Sequence, residues 1–159
     1  GALLHAVCHS LTKCMLFLLA GNILARYHTF SSYDVRGLRW TMPVTGALWT
    51  AGFLAVAGSP PFGIFVSEFL ILKGMLAGGS HGVAAVYLTA LAVIFVGMSV
   101  AVLRMVQGNR PTDVPRNRPE GLLSVQPPLV LGLAVLTLGI WVPDWLWRFL
   151  QRGAALIGG

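Results

Sequence analysis

A pair of adjacent prolines inside a long apolar segment constrains this chain more than any other feature. Pro60 and Pro61 interrupt the apolar segment 44–77, remove two backbone donors and carry rings that clash with the preceding helical turn. Gly58 and Gly63 flank the prolines and let the backbone adopt angles that other residues avoid. In lipid, backbone groups freed in this way must line protein or a water-filled cavity. The sequence therefore predicts a broken helix within a membrane.

An acidic residue follows the break. Glu68 lies in the run 65–72, which is apolar except for Ser67 and Glu68 itself. A carboxylate at the centre of a membrane helix costs about 2.5–3.5 kcal/mol on insertion scales, so such a residue is usually functional. A broken helix with a buried acid predicts an ion or proton pathway near the bilayer midplane. The alternative is a kinked structural helix whose glutamate reaches the headgroups.

The composition is that of a membrane protein. Hydrophobic residues make up 56% of the sequence and charged residues 10%, whereas soluble proteins carry about 25% charged residues. The net charge of +6 comes mainly from arginines in loops, with no basic face suited to nucleic acid, so no nucleic-acid partner is expected. The chain begins at Gly1 and enters an apolar helix without a signal-peptide pattern, so we expect a fragment lacking its N-terminal portion.

Three titratable residues recur at helical spacing near the start of the chain. His5, His9 and Lys13 lie at i, i+4 and i+8, which places them on one face of a helix. Such a stripe would be costly against lipid, so we expect it to face other helices or water. Since histidine titrates near neutrality, the stripe indicates a proton relay. A single histidine would more often be a hydrogen-bonded interior residue.

The apolar runs predict one all-α integral membrane domain over residues 1–159. Its spans are expected at about 2–25, 44–77 (broken), 83–106 and 128–147, with loops at 26–43 and 107–125. The third span contains no acid or base before Arg104. Trp141, Trp145 and Trp147 predict an aromatic anchor at the membrane interface.

The segment 44–77 is longer than one straight crossing needs, because about 20 helical residues span a bilayer. It forms either one broken crossing or a hairpin that turns at the prolines. A single crossing leaves only Arg148 and Arg152 on one side, and a hairpin divides the nine loop arginines five to four. In the single-crossing model the opposite side holds the remaining seven, Arg26, Arg36, Arg39, Arg104, Arg110, Arg116 and Arg118. The positive-inside bias favours the single crossing, with both long loops cytoplasmic and the C-terminus outside an inner (plasma) membrane.

Two stretches resemble a known family. HAVCHSLTKCMLFLLAGNI resembles the H-x3-H-x3-K helix of the proton-pumping antiporter-like subunits, and AGSPPFGIFVSEFLIL resembles their following broken helix. These subunits occur in respiratory complex I, multisubunit sodium/proton antiporters and membrane-bound hydrogenases. The wording PPFG…SEFLIL and the RGL of the preceding loop are most similar to the hydrogenase-4 and formate hydrogenlyase branch. The resemblance covers the whole chain and implies that it forms the last four helices of a bundle of about fourteen. One of these helices would be broken, as in transporters with discontinuous helices.

The resemblance also implies roles. The His/His/Lys helix would belong to a polar axis along the membrane midplane, and Glu68 would occupy the terminal proton-transfer position of the broken helix. The partners implied are other membrane subunits, the lipid bilayer and a peripheral redox arm that supplies the driving energy. No cysteine cluster or glycine-rich phosphate loop is present, so we expect no cofactor, no metal and no redox site in this chain, which would be a subunit of an oxidoreductase complex.

Two other functions remain open from the sequence. The chain could be a structural subunit whose polar residues only bridge helices, which predicts normal pumping after Glu68 and Lys13 are neutralised together. It could also belong to a stand-alone cation/proton antiporter, which predicts sodium-dependent transport without a redox complex.

Overall fold

The computed structural model describes residues 1–109 and 119–157. Within those residues the chain forms seven helices and no strand. The helices are α1 (Ala2–Tyr27), α2 (Leu38–Thr41), α3 (Pro43–Val56), α4 (Gly63–Ala77), α5 (His81–Gln107), α6 (Leu122–Ile140) and α7 (Asp144–Ile157). The predicted all-α membrane fold is confirmed. Arg110, Arg116 and Arg118 lie outside the described residues.

Helices α1, α5 and α6 are each long and apolar enough to cross a membrane. Helices α3 and α4 have 14 and 15 residues. At about 1.5 Å per residue each is roughly 21–23 Å long, shorter than a bilayer core of about 30 Å. Neither half of the broken segment can therefore cross alone.

Helix α1 runs alongside both halves of the broken segment. Residues later in the broken segment contact residues nearer the N-terminus of α1. Helices α3 and α4 therefore lie end to end and antiparallel to α1. The contacts are Thr41 with Tyr27, Gly52 with Leu16, Gly63 with Cys8, and Ser67 with His5. A hairpin would instead bring α4 back along α3. The two halves thus lie end to end along α1 in this structure, as one broken crossing would place them.

The break is formed by a defined helix end and the two prolines. Helix α3 closes with the N–H of Gly58 bonded to the Ala55 carbonyl at 3.3 Å and the N–H of Ser59 bonded to the Leu54 carbonyl at 2.9 Å. This is the Schellman pattern, and Gly58 takes the left-handed conformation it requires, with φ 66°. The Pro60–Pro61 peptide bond is cis. Helix α4 begins only at Gly63, so the predicted break lies at the predicted residues.

A glycine of α6 packs directly on the break. A Cβ at Gly139 would overlap the Pro61 carbonyl oxygen and approach the Phe62 backbone. On the same side, a Cβ at Gly63 would come within 3.4 Å of the Leu138 backbone and side chain. Helix α6 therefore covers one side of the interrupted backbone.

The last predicted span, 128–147, differs from the structure at its beginning. The sequence predicts Pro128 as the start of the helix, but α6 begins at Leu122. Because Pro128 has no N–H, it cannot bond the carbonyl of Ser124 four residues earlier. The side-chain amide of Asn22 donates to that carbonyl instead, at 2.7 Å. A contact from α1 thus compensates the helix for its proline.

The same span also ends earlier than expected. Helix α6 stops at Ile140, and a separate helix, α7, begins at Asp144 after Pro143. Proline disfavours helix at the residue before it, and an acid in the first turn favours a new helix. Leu146 and Leu150 of α7 belong to one buried cluster with Leu4 and Cys8 of α1 and Ile64 of α4. Trp145 and Trp147 lie on the exposed side of α7.

Candidate functional site

The predicted histidine stripe lies on α1 and faces α4. The rings of His5 and His9 stack with their centroids 5.6 Å apart, as the i, i+4 spacing predicts. Lys13 continues the stripe one turn further and is exposed in this chain. Cys8, between the histidines, is buried against Gly63, whereas Cys14 is exposed.

A buried serine fixes the orientation of His5. The Nδ1 atom of His5 lies 3.1 Å from the Ser67 hydroxyl oxygen. That hydroxyl donates its proton to the Ile64 carbonyl at 2.7 Å. A hydroxyl has one proton to give, so it must accept from His5, and Nδ1 carries the hydrogen. In the neutral ring Nε2 is then left as the proton acceptor.

Glu68 follows Ser67 on α4 and points to the break. A Cβ at Gly58 would overlap the carboxylate of Glu68, so the acid lies directly against the backbone of the αL turn that ends α3. The side chain is half-buried. The break therefore does two things at this position: it interrupts the helix, and it makes room for the carboxylate.

One cavity joins the four predicted proton-transfer residues. It has a volume of about 380 Å³, and its lining includes His5, His9, Lys13 and Glu68. The rest of its lining is apolar apart from Tyr87, and comprises Leu16, Val56, Ala57, Ile71, Leu91, Ile94 and Met98. We call it the histidine cavity. Polar groups from three helices around one space can hold bridging waters.

A second cavity adjoins the first and also has Glu68 in its lining. It measures about 350 Å³ and is lined by the break residues Gly58, Ser59 and Pro60, with Glu68 and Tyr87. We call it the break cavity. The predicted residues Gly58 and Pro60 thus line a space next to the acid, whereas Pro61 and Gly63 face α6 and α1.

The sequence pattern does not single out Tyr87. Segment 83–106 is typical of a plain span without an acid or base before Arg104. A single phenol among the apolar residues of that span is the only signal the sequence offers. Among the described residues, no three His, Cys, Asp or Glu side chains are placed to share a metal ion.

Comparisons with known proteins place these features in context. The family described as NADH:quinone oxidoreductase/Mrp antiporter, TM matches residues 1–106. A hydrogenase-4 component F homolog of Methylacidiphilum infernorum is 31% identical over 159 residues, which is 99% of this chain and 32% of that protein. A Na(+)/H(+) antiporter subunit of Bacillus subtilis is 28% identical over 97% of this chain and 31% of its own length.

The fold has a counterpart among solved structures. A chain of the Mrp complex from Dietzia sp. DQ12-45-1b superposes with a TM-score of 0.76 at 24% identity, over 84% of this chain and 33% of that one. The chain therefore spans about a third of the length of the relatives it matches.

Proposed function

Because this chain belongs to the NADH:quinone oxidoreductase/Mrp antiporter membrane family, we propose that it forms part of a membrane subunit that translocates protons. The observation that carries the proposal is the histidine cavity, which brings His5, His9, Lys13 and Glu68 together in a space lined by α1, α3, α4 and α5. These groups come from segments about sixty residues apart in the chain. A shared space supports the proposal because water within it would connect these groups.

The proton would enter from the stripe and leave at the break. Lys13 and the two histidines exchange protons with waters in the histidine cavity, and Glu68 receives the proton through those waters. Glu68 then releases it into the break cavity, which it also lines. The charge of Glu68 must change during each cycle. Its place beside the interrupted backbone exposes the carboxylate to two separate spaces.

The surroundings of the subunit follow from the same proposal. Relatives named as components of hydrogenase-4, NADH-quinone oxidoreductase and Mrp antiporters imply other membrane subunits as partners. We propose a peripheral redox arm as the energy source, an inner (plasma) membrane as the location, cytoplasmic long loops and an external C-terminus. The residue distribution that motivates this orientation is the arginine bias of the loops.

The test replaces Glu68 in the complete subunit within its complex. Glu68→Gln keeps the size and hydrogen-bonding capacity of the side chain but cannot exchange a proton, so pumping into membrane vesicles should fall by about a hundredfold or more. Glu68→Asp should retain partial activity, and Glu68→Lys should also, since the family resemblance includes lysine at this position. Asp144→Asn, which removes an acid outside both cavities, is the matched control and should pump normally.

Subunit content is measured on the same membranes. Normal pumping by Glu68→Gln at normal assembly would rule out the assigned role. Normal pumping by the combined Glu68→Gln and Lys13→Gln variant would favour a structural subunit. Lys73→Gln serves as the control for Lys13, because Lys73 is exposed on α4 away from both cavities.

Cation/proton exchange is a second candidate, favoured by the similarity to the Na(+)/H(+) antiporter protein of Bacillus subtilis over 97% of this chain. It predicts that an imposed sodium gradient drives proton movement in vesicles without any redox substrate. A response to redox substrate alone would favour the first candidate.

A further inference from the structure

Tyr87 holds a position that the proposed function does not yet use. It lies six residues after His81, the first residue of α5, so it sits roughly 9 Å along that helix. Its side chain is half-buried and lines both the histidine cavity and the break cavity. The other residues that α5 contributes to the two cavities are all apolar, namely Leu88, Leu91, Ala92, Ile94, Phe95 and Met98.

The boundary between the cavities is formed by very few groups. Among the residues that the structure describes, only Ala57, Glu68, Tyr87 and Leu91 line both spaces. Leu91 is apolar, and Ala57 offers only its backbone there. The N–H of Ala57 is already bonded to the Phe53 carbonyl at 2.9 Å. A backbone carbonyl accepts a hydrogen bond but has no proton to pass on.

Two side chains at this boundary can therefore move a proton. A carboxylate can bind and release one, and a phenol hydroxyl both accepts and donates a hydrogen bond. Glu68 is the group that the proposed function already uses. Tyr87 lines the same two cavities as Glu68.

We propose that Tyr87 is a second proton-transfer residue at the boundary, which rests on the proposed function of the cavities. Its hydroxyl accepts a hydrogen bond from water or Glu68 on one side and donates its own proton to water on the other. When the hydroxyl takes a new proton it releases the old one, so the phenol ends the step neutral and no other reactant is needed. The group then reorients for the next transfer.

An interfacial anchor is the ordinary role for a tyrosine in a membrane helix, because its ring suits the headgroup zone. An anchor would turn toward lipid. The preceding residue Val86 is 71% exposed, whereas Tyr87 faces the cavities. The side chain therefore turns inward from the helix face that an anchor would use.

The test compares Tyr87→Phe, Glu68→Gln and the unchanged protein in the complete complex. Tyr87→Phe keeps the ring and removes the hydroxyl, so the initial pumping rate should fall about three- to tenfold, the loss expected for one hydrogen-bonded link. The second measurement is the infrared carbonyl band of protonated Glu68, recorded as a difference between acidic and alkaline buffer. The band is assigned by its loss in Glu68→Gln. It should move in Tyr87→Phe, because the hydrogen bonding around the carboxyl changes.

Tyr33→Phe is the matched control, since Tyr33 lies in the loop between α1 and α2 with its ring under Arg104, 4.2 Å from the guanidinium carbon. It should change neither the rate nor the band. An unchanged rate in Tyr87→Phe, with pumping abolished in Glu68→Gln, would overturn the role of Tyr87 alone. A lower rate with an unmoved band would overturn it too, because lost packing would then explain the effect. Normal pumping in Glu68→Gln would overturn both proposals.

Discussion

Replacing Gly58 by alanine tests whether the Glu68 carboxylate depends on the space at the break. Gly58 has φ 66°, a conformation that costs a residue with a side chain roughly 1–2 kcal/mol. The new Cβ would also overlap the Glu68 carboxylate, which must move away from the break. Gly58→Ala therefore combines a backbone cost with a displaced Glu68 carboxylate.

The functional part of the effect should be the larger one. A misplacement of about 1 Å at a reacting group can cost about a hundredfold in rate. We expect Gly58→Ala to lower proton pumping in vesicles by about ten- to a hundredfold. Combining it with Glu68→Asp should recover part of the loss, because the shorter side chain withdraws from the new methyl group.

Gly79→Ala separates the two contributions. Gly79 has φ 72°, so alanine there meets the same backbone cost, but no atom lies within 4 Å of the new Cβ. Both variants should therefore lower the thermal stability of the complex by similar amounts, and only Gly58→Ala should lose pumping beyond that. Equal pumping in the two variants at equal assembly would refute the argument that Glu68 depends on space at the break.

Two further predictions concern packing and orientation. Gly139→Ala should destabilise the protein by about 1–3 kcal/mol in thermal unfolding, because its Cβ would meet the backbone of the break. Gly97→Ala is the control and should not destabilise it, since no atom lies within 4 Å of a Cβ there. Equal stabilities would contradict the packing of α6 on the break. In a cysteine-free background, Ser31→Cys should resist an impermeant thiol reagent in whole cells and Gly78→Cys should react. External labelling at position 31 would reverse the proposed orientation.

The break is predictable from the sequence because its causes are local. Pro60 and Pro61 remove two backbone donors in the middle of an apolar segment, and Gly58 marks the turn beside them. The shared face of His5 and His9 follows in the same way from spacing within one helix. These features need no knowledge of the rest of the fold.

Features that depend on distant contacts are missed or misplaced by the sequence pattern. Pro128 resembles a helix start because nothing nearby in the sequence shows that Asn22 bonds the carbonyl it leaves unpaired. Gly139 resembles any helical glycine in the sequence, and only the structure shows that the backbone of the break packs against it. Tyr87 acquires its significance only from its place between two cavities.

The bond between His5 and Ser67 limits which way a proton can travel along α1. The Ser67 hydroxyl directs its proton to the Ile64 carbonyl, which cannot hand a proton onward. A proton that arrives at Nε2 of His5 therefore has no continuation through Nδ1 and must return to the same space. In the proposed pathway, His5 would then bind and release protons at Nε2 without passing them along the helix. The geometry offers a proton no continuation through Ser67, so the proposed pathway would leave the cavity at Glu68.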